Sequence, residues 1–404
     1  MRTRSKFRPE RGLLFKVVYK DKEFKEKMAK AIIKNRVEPY PDELFTSWLA
    51  RNATINYLQT PTFVNCYFPE YKNRLLSRDA DVYVDEEIAT NFARRMLLKT
   101  EDVFKTSLRS YGGYLGETVS PNNRNNLISP VKIRGRYPRL KGLRYCPECL
   151  REKEYFRKEW RLSFYAVCPE HGSFLVDSCP ECGEPVFLTK RKLDIESFNC
   201  WNCGFVYKEA ESEKLHEDSE GANHLAKSVE ILRNGYFTFG GTWYYSVFYF
   251  WILKHIARII YLLGYRNWDI LEKEAELHGI ELKRPNEVKG KMIEEILTLK
   301  EAFAVFTASI SILRFPESLK RFIESNDISY PVLKRDLSYI PFWYENIIWK
   351  YRKQPRYVTI EEIENACSWM NKNGIEPSYS SLSRLLGIVL ERRKRPELIK
   401  LFGK

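Results

Sequence analysis

Seven of the nine cysteines lie between Cys146 and Cys203 and carry the clearest chemical signal in the sequence. Together with one histidine they form four short pairs, each with two residues between its members. Two such side chains can point at one ion, and a second pair then completes a tetrahedron. The spacing therefore predicts two zinc sites with eight protein ligands: Cys146, Cys149, Cys168, His171, Cys179, Cys182, Cys200 and Cys203.

The pairing of these motifs has two solutions. Sequential pairing, which we predict, joins the first motif to the second and the third to the fourth, whereas a cross-braced arrangement uses the same eight residues. Either arrangement gives each ion four protein ligands and no open position for water, so we expect two structural Zn²⁺ ions. A redox CxxC motif is the alternative, but one such motif would not recur four times. Gly183 and Gly204 suit the tight turns of zinc knuckles, and the isolated Cys66 and Cys367 are predicted to be core thiols.

The sequence contains no recognisable catalytic motif beside the cysteines. A zinc deaminase needs an H-x-E motif next to its P-C-x-x-C, and Cys146 has no such partner. There is no G-x-x-x-x-G-K-[ST] phosphate loop, so any ATP would belong to a partner. No carboxylate set has the spacing of a known nuclease motif. The sequence therefore predicts a binding protein rather than an enzyme.

Charge favours a polyanionic partner. The 404 residues include 67 Lys and Arg against 53 Asp and Glu, a formal net charge of +14, which promotes association with nucleic acid. Residues 1–37 form a basic extension, read either as a solvated arm or as a phosphate-binding one. A second basic strip, from Lys132 to Arg144, contains no acid and directly precedes the zinc motifs, so phosphate contact is favoured there over a solvated loop. Its candidate contacts are Lys132, Arg134, Arg136 and Arg139.

The elements around these motifs are predicted to be mainly helical. Pro41 and Asp42 indicate a helix start, and residues 85–98 show helical spacing of apolar residues. Thr100 is a candidate N-cap for a further helix. A helix, a short turn and a helix are compatible with a helix-turn-helix, although most such pairs are only packing units.

The C-terminal half is also predicted to be helical, with its clearest helices at residues 243–263, 287–299, 303–313 and 316–325. The first of these is the most apolar run of the chain, but Lys254, His255 and Arg258 lie in its middle. A membrane span would be destabilised by these charges, so we predict a buried helix. No signal peptide is recognised after Met1, and we expect a soluble, cytoplasmic protein that does not bind membranes.

The last segment, residues 359–387, is predicted to be a helix-turn-helix-like unit. Thr359 and Glu362 form a capping box for its first helix, and the second helix starts at Ser378. Polar residues at that start suit phosphates or base edges, and a basic run follows; a plain capped helical hairpin is the alternative. The candidate nucleic-acid contacts are Ser378, Tyr379, Ser380, Arg384, Arg392, Arg393, Lys394 and Arg395.

The predicted fold class is mainly α with small β zinc-ribbon or zinc-knuckle modules, in several domains with helix-turn-helix units at both ends. The predicted organisation is a basic extension (1–37), a helical part (38–144), tandem zinc modules (145–207), a polar linker (208–222) and a C-terminal helical domain (223–404).

Several motifs occur in an order that resembles the TniQ domain of the TniQ/TnsD family, over about residues 38–207. They are the segments at 39–51, 145–150, 155–162, 168–172 and 177–183, which include the Pro-Asp-Glu-Leu start, the Trp-Arg-Leu strand and the Cys-Pro-Glu-His-Gly turn. The resemblance implies a bacterial transposon protein that selects the insertion site and recruits an AAA+ ATPase regulator (TnsC-like), which brings the transposase.

The resemblance leaves two kinds of targeting open. TnsD-like members read an attachment site in double-stranded DNA through zinc and helix-turn-helix elements, whereas other TniQ proteins bind, often as a homodimer, to a CRISPR Cascade complex whose guide RNA reads the target. The length of this chain is closer to the second kind, while its basic charge and residues 378–395 favour the first. Two other classes remain as alternatives: a zinc-containing, DNA-binding transcription regulator, and a nuclease or other enzyme with structural zinc.

Overall fold

The chain divides by packing into two compact units. In this computed structural model the described residues are 31–122, 125–131, 142–190, 198–216, 219–266, 297–352 and 358–387, with Met28, Glu272, Glu276 and Glu281. One unit comprises Met1–Ile328 and Lys334–Ile347, and the other Ser329–Leu333 and Ile348–Lys404. Helices dominate the described residues, whose strands form only two-stranded sheets. The prediction of a mainly helical fold with small β modules is confirmed.

A cluster of short helices forms the N-terminal part of the first unit. They are α1 (Phe45–Ile55), α2 (Thr60–Tyr67), α3 (Lys72–Leu76), α4 (Ala80–Tyr83), α5 (Glu86–Met96) and α6 (Thr100–Phe104). Aromatic rings fill their shared core: Phe68 stacks on Phe92 with ring centroids 3.6 Å apart, and the Trp48 centroid lies 6.1 Å from that of Phe92. Such ring contacts stabilise the cluster beyond the area that they bury.

The first helix begins later than the sequence predicted. Its first residue is Phe45, and no side chain caps it. Asp42 does not cap this helix, because it contacts the segment at residues 155–158 instead. The Asp42 carboxylate accepts a hydrogen bond of 2.7 Å from the Tyr155 hydroxyl, and the Asp42 carbonyl accepts one of 2.8 Å from the Lys158 N–H. The predicted start of the TniQ-like segment therefore joins the helices to the segment that follows the first cysteine motif.

The next two helices agree more closely with the prediction. Asp85 caps α5, since its side chain accepts a hydrogen bond from the Ile88 N–H. Helix α6 begins at Thr100, but its N-cap is Lys99 and no side chain caps it; the prediction of Thr100 as N-cap was wrong. The pair α5 and α6 is observed as two packed helices, and its reading as a helix-turn-helix stays a prediction.

A buried ion network joins the helical cluster to the 3₁₀ turn Lys158–Arg161, so the expectation that the Trp-Arg-Leu segment is a strand was wrong for Trp160 and Arg161. Arg161 is only 1% exposed, and its guanidinium lies 2.6 Å from Asp79 and 3.0 Å from Asp81. It also donates a hydrogen bond of 3.0 Å to the Ser129 carbonyl. Asp81 accepts a further hydrogen bond of 2.8 Å from the Thr46 N–H. Burial raises the pKa of Asp81 to about 7, while Arg161 acts in the opposite direction.

Four longer helices follow in the C-terminal part of the first unit: α8 (Gly221–Asn234), α9 (Ser246–Arg266), α10 (Leu299–Ile312) and α11 (Pro316–Ser325). Helix α8 starts in close contact with α10, because a Cβ at Gly221 would lie 2.2 Å from Cζ of Phe303. Phe164, between the two cysteine motifs, stacks on Phe250 of α9 with centroids 5.7 Å apart. The cysteine-bearing region and these helices therefore share one core.

A β-hairpin precedes α9 where the sequence predicted the start of a helix at residue 243. Strands β3 (Tyr236–Phe239) and β4 (Thr242–Tyr245) are antiparallel, and Gly240 and Gly241 join them with φ of +58° and +83°. Positive φ at both central residues defines the tight hairpin turn that glycine favours. The helix prediction was therefore wrong for residues 243–245 and is confirmed from Ser246 onward.

Helix α9 has the length and composition of a membrane span. Its window Ser246–Leu263 has a mean hydropathy of 1.4, but 67% of that window is buried inside the protein. The exposed Arg258 forms an ion pair with Asp336. This burial is typical of a core helix of a soluble protein, and it agrees with the predicted buried helix. Residues 287–296 of another predicted helix lie outside the described residues.

The second unit contains a small helical hairpin. Its described helices are α12 (Tyr330–Lys334), α14 (Ile360–Lys372) and α15 (Tyr379–Leu386); α13 (Phe342–Ile348) lies almost entirely in the first unit. The predicted capping box of Thr359 and Glu362 is confirmed. Leu382 of α15 packs with four residues from the first helix and its approach, namely Val358, Ile363, Ala366 and Met370.

Candidate metal centres

The first candidate metal centre lies between a helix and a short hairpin. Helix α7 (Pro147–Glu152) starts directly after Cys146, with proline at its first position. Strands β1 (Val167–Cys168) and β2 (Ser173–Phe174) are antiparallel. The tight turn between them carries His171, and Gly172 completes that turn with φ of +60°. Proline at the helix start and glycine at the turn fix where the ligands point.

The four ligand atoms of this centre are close to the corners of a tetrahedron. His171 Nδ1 lies 3.6 Å from Sγ of Cys146, 3.4 Å from Sγ of Cys149 and 3.5 Å from Sγ of Cys168. The sulfurs of Cys149 and Cys168 are 3.6 Å apart. Zinc bonds of about 2.3 Å to sulfur and 2.0 Å to nitrogen place tetrahedral corners about 3.5–3.8 Å apart. The centre therefore has the size that a zinc ion requires.

Carboxylates orient the ligands from outside. The Nε2 atom of His171 lies 3.0 Å from Glu152 Oε1, which leaves Nδ1 for the metal, as is common for metal-binding histidines. Glu148 accepts hydrogen bonds from the hydroxyls of Ser173, at 3.0 Å, and Ser212, at 3.1 Å. Glu148, Glu152 and Ser212 were not predicted from the sequence. The two glutamates belong to the first cysteine motif and its helix, whereas nothing local marks Ser212.

Residues after the second cysteine module return to cover the first centre. The Phe174 N–H donates to the Glu213 carbonyl at 2.8 Å, and the Leu215 N–H donates to the Gly172 carbonyl at 2.8 Å. Glu213 also binds Lys300 of α10, with 2.8 Å between Oε1 and Nζ. The segment predicted as a linker thus lies against the β2 strand as an additional edge. It connects the first centre to the helical core.

The second candidate metal centre is built from two similar turns. Sγ of Cys179 lies 3.5 Å from Sγ of Cys203, and Sγ of Cys182 lies 3.6 Å from Sγ of Cys200. These separations are too long for a disulfide, whose S–S length is about 2.05 Å, and they match the edges of a zinc tetrahedron. The predicted Gly183 turns the first loop with φ of +71°.

The second loop has the same construction. The Gly204 N–H donates to the Cys200 carbonyl at 3.0 Å, and Gly204 has a φ of +87°. The corresponding bond in the first loop, from the Gly183 N–H to the Cys179 carbonyl, is 2.9 Å long. Left-handed backbone of this kind is accessible to glycine at little cost, so both glycines have the role that the sequence predicted for them.

The two centres differ in solvent exposure. The three cysteines of the first centre are buried, whereas Cys182 and Cys203 of the second are exposed. The Glu184 N–H donates to the Cys182 sulfur and lowers the pKa of this thiol to about 7. A thiolate is the form that binds a metal. The second centre is therefore more accessible to reagents from solvent than the first.

The structure brings the eight predicted ligands together as two groups and in the sequential pairing. One group is Cys146, Cys149, Cys168 and His171, and the other is Cys179, Cys182, Cys200 and Cys203; within each, the ligand atoms lie within 4.8 Å of one another. Both groups could hold a metal ion. Sets of thiolate with imidazole, or of thiolate alone, in tetrahedral geometry suit zinc, and four protein ligands leave no position for a reacting water.

The other predicted site residues are only partly described. Residues 132–141 and 388–404, which contain Lys132, Arg134, Arg136, Arg139, Arg392, Arg393, Lys394 and Arg395, lie outside the described residues. In the helical hairpin, Ser378 caps α15 by accepting a hydrogen bond of 3.1 Å from the Ser381 N–H, and Tyr379 is half-buried against the small core. Ser380 and Arg384 are exposed. The structure thus gives Ser378 and Tyr379 a packing role in addition to the contact role that was predicted.

A comparison with protein families finds one match. Residues 35–175, about a third of the chain, match the TniQ family, and the predicted resemblance is confirmed over this range. The match includes all four ligands of the first centre and ends before Cys179, the first ligand of the second. The TniQ family is associated with transposition. A search of curated proteins finds no match to this chain.

Proposed function

We propose that this chain, whose residues 35–175 are a TniQ domain, is a target-selection adaptor of a bacterial transposon that works in the cytoplasm. In this role it binds the target, either double-stranded DNA itself or a guide-RNA complex on that DNA. It then recruits an AAA+ ATPase regulator of the TnsC kind and, through it, the transposase. The TniQ domain is the observation that carries the proposal, because this family is associated with transposition.

The proposed role of the metal centres is structural. Cys146, Cys149, Cys168 and His171 would hold one zinc ion, and Cys179, Cys182, Cys200 and Cys203 a second. A bound ion would neutralise thiolates that otherwise repel one another, and its binding free energy would stabilise the fold of this region. The protein itself would carry out no reaction.

Two surfaces are proposed to meet nucleic acid. The first is the basic strip that begins at Lys132, directly before the first centre. The second is helix α15, which begins with a capping box and exposes Ser380 in its first turn and Arg384 in its last turn. A capped helix that presents polar side chains at its start is the geometry with which a recognition helix reads the major groove. The basic run at residues 392–395 follows this helix and would contact phosphates.

The proposal is tested first by binding-site selection. Purified protein is offered random DNA duplexes at near-physiological salt, and the bound pool is sequenced. Enrichment of one motif would mean that the protein reads an attachment site directly. Weak, salt-sensitive binding without a motif would mean that a guide-RNA complex reads the target and that this chain joins it to the ATPase.

Recruitment of the ATPase is tested with a purified AAA+ regulator of the TnsC kind. Target-dependent retention of that ATPase on DNA, only in the presence of this chain, supports the adaptor role. If the protein binds a palindromic operator and changes transcription without retaining any ATPase, the transcription-regulator alternative holds instead. Metal-dependent cleavage of DNA by the purified protein would contradict the absence of enzymatic activity.

Comparison of two variants separates the proposed contacts. Arg384→Ala should change the sequence preference, because Arg384 is an exposed side chain of the proposed recognition helix α15 and would face bases. Neutralising residues 392–395 should instead weaken binding to all sequences and flatten its salt dependence. Lys320→Ala, at an exposed ion pair with Glu317 on a different helix, is the matched control and should leave both properties unchanged.

A further inference from the structure

The outer face of the β3–β4 hairpin carries aromatic side chains that the protein does not bury. Strand alternation places Tyr236, Trp243 and Tyr245 on this face, and the register sets Tyr236 opposite Tyr245. Their exposed fractions are 50%, 62% and 62%. The rings of Trp243 and Tyr245 have centroids 5.8 Å apart and are nearly perpendicular. We call these three residues the aromatic face.

The opposite face of the hairpin is firmly packed. The Trp343 ring lies 5.5 Å from that of Phe237 and 4.7 Å from that of Phe239, measured between centroids. The two-glycine turn fixes the register of the strands. At the other end, the Tyr114 ring lies against Gly235, where an added Cβ would be 3.0 Å from the ring. The aromatic face is therefore held on a rigid support and does not need to order itself on binding.

The segment that contains the hairpin is basic, although two of its arginines pair with acids of other elements, Arg233 with Glu159 and Arg258 with Asp336. From Ile231 to Trp268 the sequence contains no Asp or Glu, while it contains Arg233, Lys254, Arg258 and Arg266. Arg233, directly before β3, binds Glu159 and still leaves 62% of its side chain exposed. A negatively charged partner is therefore favoured, since the basic residues of this segment would repel a positively charged partner.

Exposed aromatic rings on a rigid support, in a segment of the chain that itself contains basic residues and no acid, have the properties of a base-stacking platform. Every base offers a π face, so stacking is tolerant of sequence, while nearby cations attract the phosphates. We propose that the aromatic face binds single-stranded nucleic acid, with bases stacked on Trp243 and Tyr245. This site uses other residues than the duplex contacts of the proposed function and does not depend on them.

The test uses a fluorescein-labelled oligonucleotide of twenty thymidines as the probe, with anisotropy measured at several salt concentrations. The test variant is Trp243→Leu with Tyr245→Leu, which keeps apolar side chains but removes the rings. Loss of stacking should weaken binding by about 5- to 150-fold for each base that is lost. The salt slope should stay the same, because no cation is changed. Trp243→Phe retains a ring and should keep most of the affinity.

The matched control is Trp369→Leu, a tryptophan of the second unit that is 51% exposed. It should bind the probe as the native protein does. Thermal unfolding and metal content of every variant are measured alongside, and unchanged values show that the fold is intact.

Two results would overturn the proposal. One is that the native protein does not bind the probe at micromolar concentrations. The other is that the leucine variant binds it as tightly as the native protein, which would leave the aromatic face as a docking surface for another protein. Binding to duplex DNA is measured in the same series, so a failure of the proposed function would be seen separately from a failure of this site.

Discussion

The buried network around Arg161 gives the sharpest prediction about stability. Arg161→Met keeps much of the side-chain length but removes every donor to Asp79, Asp81 and the Ser129 carbonyl. Asp81 is 1% exposed, so it would keep its burial and lose its counter-charge. Removal of one partner from a buried ion pair costs about 3–5 kcal/mol. At roughly 2 °C per kcal/mol for a large domain, the unfolding temperature should fall by about 6–10 °C.

The control for this change is Arg74→Met. Arg74 lies 3.7 Å from Asp85, and its side chain is 48% exposed. Exposed pairs of this kind contribute at most about 1 kcal/mol, so the unfolding temperature should move by no more than about 2 °C. Differential scanning calorimetry of the full chain measures both variants. Equal, small shifts for the two variants would show that the Arg161 network does not stabilise the fold.

The pH dependence provides a second check on the same variant. Burial already raises the pKa of Asp81 to about 7, and Arg161 opposes this shift, so removal of Arg161 should raise the pKa further. When folding raises the pKa of a carboxyl group, this group destabilises the fold increasingly as the pH rises from the pKa of the unfolded state to the pKa of the folded state. The stability deficit of Arg161→Met should therefore be larger at pH 8 than at pH 6. Adding Asp81→Asn should recover part of it.

Three further predictions concern the metal centres. Cys182→Ser should reduce the bound zinc from two equivalents to one, measured by elemental analysis, whereas Cys367→Ser, outside both centres, should leave two; unchanged zinc in Cys182→Ser would contradict its role as a ligand. A chelator should remove zinc in two phases, and the exposed second centre should lose its ion first. Alkylation of the freed thiols during the reaction, followed by mass spectrometry, tests this order, because Cys182 should be modified before Cys149. Glu152→Gln should weaken zinc binding at the first centre by about 10- to 100-fold in a chelator competition, and unaltered affinity would show that the contact with His171 has no effect on the ion.

The metal ligands could be predicted from sequence because the information is local. Each pair of ligands needs only two intervening residues and a tight turn, and Gly183 and Gly204 indicate two of these turns in the sequence. The sequential pairing followed as well, since neighbouring pairs in the chain are also neighbours in space. The outer carboxylates could not be assigned, because Glu148 and Glu152 acquire partners only after β2 and Ser212 have folded against α7.

The hairpin before α9 shows a different limit. Its aromatic residues continue into an apolar helix without a polar break, and this continuity favoured a helix from Trp243. The signal that identifies it is Gly240-Gly241 between alternating residues, a pattern typical of a hairpin turn. The contact between Arg161 and Asp79 joins residues far apart in sequence, and no local pattern predicts such a pair. Propensity and capping, by contrast, placed α11, α14 and α15 to within a residue or two.

Because residues 212–215 return to the first centre, the second centre lies in a loop of the chain whose two ends are held together at the first centre. Val176 is paired with Tyr145 before the chain leaves, and Glu213 pairs with Phe174 when it comes back. The entropic contribution to the free-energy cost of closing a loop of about 35 residues is of the order of 3 kcal/mol. If the first centre folds together with residues 212–215, this cost has already been met. The loop that carries the second centre then folds with both of its ends fixed. We therefore expect an ion bound at the first centre to lower the free-energy cost of binding an ion at the second.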